Sequence, residues 1–111
     1  MFIAYEVSIQ VIQSLRELVP QIECSDRDLG DQIKRAASSV VLNLAEGQRL
    51  TKGNKHKHYV IAHGSANEVK AAVQTAIAWG WIEDASTTLA VLDRLLALLW
   101  RLTHARPSRA A

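Results

Sequence analysis

Proline and glycine are scarce in this chain, with two and five copies among 111 residues. Both interrupt helices, so their scarcity leaves room for long ones and excludes collagen-like or low-complexity organisation. Cysteine is scarcer still. Cys24 stands alone, so no intrachain disulfide forms and nothing calls for an oxidising compartment; the cytoplasm is the expected location. With no motif around it, Cys24 reads as a passive thiol. Long apolar runs are missing too. The richest, Thr88 to Trp100, is cut by Asp93 and Arg94 and is too short to span a bilayer, so no membrane partner is expected. The N-terminus, MFIAYEVSIQ, lacks a basic segment and meets Glu6 at once, unlike a secretory signal. The chain also has no P-loop, no Gly-rich dinucleotide turn and no nucleophile elbow.

Charge is unevenly placed. Up to Gly47 there are seven acidic and four basic residues; after it there are four acidic and nine basic, for a net charge of +2. That asymmetry points mildly to a polyanionic partner.

The chain is organised around Leu29 to Gly47, where Leu29, Ile33, Ala36 or Ala37, Val40 and Leu44 recur at helical spacing and Gly47 reads as the closing residue. A first helix is predicted from about Ile3 to Val19, ended by Pro20. It carries two apolar stripes, Ala4, Val7, Val11, Leu15 and Leu18 beside Tyr5, Ile9, Ile12 and Val19. Pro20 to Ser25 is then a connector, with Ser25 and Asp28 spaced as a capping box for helix two. Asp26, Asp28 and Asp31 favour that helix start electrostatically. QRLTKGNKHKH reads as a basic loop broken by Gly53. A third helix, with an alanine-rich face suited to close approach, runs from near Asn54 to a C-cap at Gly80. A fourth runs from about Asp84 to His104, capped by Asp84 or Ser86. Its stripes Leu89, Leu92, Leu96, Leu99 and Val91, Leu95, Leu98, Leu102 cover more arc than a monomer needs, which predicts self-association. The expected fold is all-α, an antiparallel up-down-up-down four-helix bundle over residues 1–105, with a short basic disordered tail at 106–111. Its core is expected to hold Leu15, Ile33, Val40, Leu44, Val69, Val73, Leu92 and Leu96.

Two stretches, QIKRAASSVVLNLAEG at Gln32 to Gly47 and IAHGSANEVKAAVQTAIAWGWI at Ile61 to Ile82, give the chain a family likeness. It resembles the bacterial four-helix-bundle family of the 23S rRNA intervening-sequence protein, through Arg35, Ala36, Ser39, Asn43, Ala45, Glu46 and Gly47. In the second stretch Ile61, Ala62, Gly64, Ser65, Glu68, Gly80 and Ile82 carry the likeness. Val41 departs from a common proline and Trp81 from a tyrosine. The resemblance implies a ring-shaped homopentamer with no established enzymatic activity. A related branch, the accessory protein of diversity-generating retroelements, associates with nucleic acid and is more basic than this chain.

Three groups of residues are candidates for chemistry. Arg35, Ser39, Asn43, Glu46, Ser65 and Glu68 read as a buried structural network fixing the register of helices two and three. The alternative is a carboxylate-based or metal-dependent enzyme using Glu46 and Glu68, although the Glu-x-x-His repeats of di-iron bundles are absent. His56, His58 and His63 lack a ligand set at zinc spacing and read as solvated, so no metal or cofactor is expected. Arg49, Lys52, Lys55 and Lys57 form an acid-free basic run suited to phosphate. No aromatic is interleaved to stack bases, so RNA or DNA binding through it would ignore sequence. The expected function is a non-enzymatic oligomeric scaffold with self and nucleic acid as partners; a pure protein–protein interaction module is the other reading.

Overall fold

The computed structural model describes residues 1–104. The expectation of a disordered basic tail at 106–111 lies outside the described residues. Four α-helices account for most of the chain: α1 (Ile3–Ser25), α2 (Arg27–Arg49), α3 (Lys52–Ala78) and α4 (Ser86–Thr103), with no strand among the described residues. Each helix packs on two others, in the seams α1–α2, α2–α3, α3–α4 and α1–α4, which closes an all-α bundle. The α2–α3 seam is the largest, and the α3 alanines Ala62, Ala66 and Ala76 are fully buried, in keeping with the close approach expected of that helix. No helix among the described residues is long and apolar enough to cross a membrane.

The connectors are shorter than the sequence suggests. Pro20 does not end α1, which continues through it to Ser25. Leu15, Leu18, Val19 and Ile22 keep their helical spacing across the proline and are all buried, Ile22 completely. Burying one such aliphatic side chain is worth about 1.5–3 kcal/mol, enough to offset most of the roughly 3 kcal/mol that an interior proline costs. Pro20 and Arg16, whose carbonyl loses its partner, are both exposed, so water can take over that bond. The expected connector therefore shrinks to Asp26 alone. Asp26 caps α2, its side chain accepting from the Leu29 N–H at 3.0 Å, and Ser25 with Asp28 forms no box. The tight turn also explains buried Gly30: a methyl there would collide with the Glu23 side chain.

Gly47 is not a closing residue either. It lies inside α2, two residues before the last helical one, and a methyl group there would sit 2.6 Å from Cε1 of Tyr59. Its smallness lets α3 come close. The expected basic loop reduces to Leu50 and Thr51, and Gly53 belongs to α3. Gly80 does act as foreseen. With φ +78 it follows the α3 C-cap, its N–H bonds to Ile77 and that of Trp81 to Ala76, the two bonds of a Schellman ending. Asp84 assists α4 by accepting from the Ser86 N–H at 2.9 Å, which holds its carboxyl below the ordinary value of 3.8.

Seven of the eight expected core residues are buried; Leu96 is half-buried instead. The buried line of α4 is Thr88, Leu92, Leu95 and Leu99, midway between the two expected stripes. Leu89 and Leu96 flank it on one side, and Val91, Leu98 and Leu102 on the other, all half-buried. Because α4 packs against both α1 and α3, it uses both stripes within one chain, and neither is left wholly in water.

Candidate functional site

The seam between α2 and α3 carries polar residues of both motif stretches, and their geometry differs from the expected network. Ser39 Oγ lies 3.0 Å from Ser65 Oγ across the seam. The Asn43 amide donates to the Ser39 carbonyl at 2.9 Å and lies 3.1 Å from its hydroxyl. Since that carbonyl only accepts, Asn43 Nδ2 must face it, which turns Oδ1 toward His58 Nδ1 at 2.9 Å. Nδ1 therefore carries the proton. The connected set is Ser65, Ser39, Asn43 and His58, a half-buried ladder that fixes the antiparallel register.

Arg35, Glu46 and Glu68 stand outside it. Arg35 and Glu68 are exposed, and Glu46 is half-buried and paired with Arg49 on its own helix. The expectation that they are buried partners between helices is corrected, because their positions on the helical wheel face away from the bundle axis. The carboxylate pair is corrected as well. In the register set by Ser39–Ser65, Glu46 lies near residue 58 of α3, about 15 Å along the axis from Glu68 at ~1.5 Å per residue. Among the described residues no three His, Cys, Asp or Glu side chains are grouped to hold a metal ion. His58 is engaged by Asn43 and is not simply solvated.

The basic residues gather at one end of the bundle. α2 ends and α3 begins there, which brings Arg49 beside Lys52, Lys55 and Lys57. α4 ends there too and adds Arg101, which sequence order hides because it lies 44 positions beyond Lys57. Lys52, Lys55, His56, Tyr59, Arg101 and Leu102 line a cavity of about 330 Å³. Arg49 is tied to Glu46, and Lys57 is exposed outside that cavity. The opposite end holds Glu23, Asp26, Asp28, Asp31, Glu83 and Asp84 against Arg27 and Lys34. Apart from Glu6, in the first turn of α1, and Glu46, which pairs with Arg49, the described charges at the basic end are positive, so the folded molecule is polarised along its length.

The α2–α3 face also leaves apolar side chains in water: Leu42 is 66% and Ile61 41% exposed, beside Arg35, Glu46 and Glu68. The fold and these surfaces define an all-α helical bundle whose prominent features are a mixed outer face and a basic end. The chain belongs to the family described as 23S rRNA-intervening sequence protein, whose model matches residues 2–101. No curated protein and no solved structure is similar enough to match it.

Proposed function

We propose that the protein is a non-enzymatic, self-assembling scaffold that holds RNA or DNA weakly and without sequence preference at its basic end. The observation that carries this reading is the convergence of Arg49, Lys52, Lys55, Lys57 and Arg101 on one end of the bundle. A few phosphate contacts per chain give poor affinity, but copies arranged in a ring repeat them and add avidity. Self-association is supported by Leu42 and Ile61, exposed among residues of both charge signs on the α2–α3 face. The number of copies, five, comes from the resemblance noted above.

The test is binding of unrelated oligonucleotides as a function of salt. Affinity should fall steeply with salt and differ little between sequences, and Lys52, Lys55 and Lys57 changed together to Gln should weaken it with helicity unchanged. No binding at about 50 mM salt, where such contacts are strongest, would refute the nucleic-acid reading and leave a protein-interaction module.

A further inference from the structure

The cavity at the basic end contains more than surface cations. Tyr59 is only 6% exposed, its ring held between Gly47 and Phe2, whose ring centroid lies 5.8 Å away. Yet its hydroxyl makes no hydrogen bond among the described residues, while no fully buried side-chain polar atom is left without a partner. The hydroxyl therefore accounts for part of the little surface Tyr59 retains, and Tyr59 lines the cavity. Three further donors lie close by in the chain. Thr51 makes no side-chain cap, and the first helical bond of α3 is Lys55 N–H to Thr51, so the N–H groups of Lys52, Gly53 and Asn54 have no partner in the helix. A methyl on Gly53 would meet nothing within 4 Å, so this helix start is open to a ligand.

The dipole of α3 adds little, because α2 and α4 end at the same place and oppose it. Attraction must come from the side chains. We propose that this cavity is a phosphate-binding site in which Lys52, Lys55 and Arg101 supply positive charge and the Tyr59 hydroxyl donates a hydrogen bond to a phosphate oxygen. This deepens the nucleic-acid reading and rests on it only for the source of the phosphate. A phosphate fits better than a carboxylate, since its oxygens spread in three dimensions and can meet donors from two helices and the tyrosine together. Arg101 presents a rigid planar fork, and the two lysines act as mobile point charges around it. Burial already pushes the Tyr59 phenol above its ordinary 10.0, so it stays a donor at neutral pH.

The experiment titrates the whole protein with pyrophosphate while NMR follows Tyr5 and Tyr59, and in a second arm with a single-stranded oligonucleotide. Pyrophosphate should shift Tyr59 and leave Tyr5 unmoved. Tyr59→Phe keeps the ring and removes only the hydroxyl, so it should melt as the parent does and bind about tenfold more weakly. Lys52→Gly separates charge from folding: Lys52 has φ 43, which glycine adopts freely, so the variant should be no less stable yet bind less. An unmoved Tyr59, or unchanged pyrophosphate affinity in Tyr59→Phe, would overturn the site. If oligonucleotide binding persists in that case, the basic-end reading survives without the cavity. If pyrophosphate binds as expected and the oligonucleotide does not, the site stands and its ligand is a free phosphate compound.

Discussion

Gly47 shows how a residue can be noticed in the sequence for the wrong reason. At the end of an apolar periodic stretch it reads as a terminator, but its backbone is helical and its value lies in the missing side chain. Gly47→Leu would drive atoms into Tyr59 and should destabilise the protein by about 1–3 kcal/mol in urea unfolding, whereas a flexible-hinge role would leave stability nearly unchanged. Glu68 is the converse case. Its place in a motif suggests a buried partner, yet it is exposed, so Glu68→Gln should change stability by no more than about 0.5 kcal/mol. A large loss would show that another molecule covers it. Side-chain types were legible at both positions; their directions depend on how α2 and α3 are rotated about their axes, which periodicity leaves open for polar residues. His58 joined the ladder unseen for the same reason, since its contact with Asn43 exists only in one register.

At the level of elements, the four helices and their order were legible because each carries an apolar period that only a helix satisfies. Boundaries were less so. Pro20 and Gly53 are breakers by local preference, and tertiary burial or a permissive first turn overrode both. Pro20→Ala makes this quantitative. It restores one backbone bond on an exposed face, so the melting temperature should rise, by an amount equivalent to about 1–3 kcal/mol. A fall would mean that the proline ring itself is needed to seat Ile22.

For the whole molecule, self-association is proposed on a different surface from the one the sequence suggests. The leucine-rich stripes that motivated it are shared among α1, α3 and α4, while Leu42 and Ile61, two of several exposed apolar side chains, lie on the α2–α3 face. Light scattering at micromolar concentration should give several times 12.3 kDa, and Leu42→Lys with Ile61→Lys should reduce it toward the single-chain mass without loss of helix. A parent protein that scatters as a single chain refutes assembly. The α1–α4 seam has a different consequence, one of timing. Three of the four seams join helices linked by short connectors and can form as neighbouring hairpins, but Thr88 reaches the Ser14 carbonyl, at 3.3 Å, across 74 positions. Closing so long a loop carries the largest entropic cost, so this seam should zip last and open first. Thr88→Val, which removes that bond and keeps the shape, should therefore speed unfolding about fivefold in stopped-flow measurements and leave the refolding rate where it was.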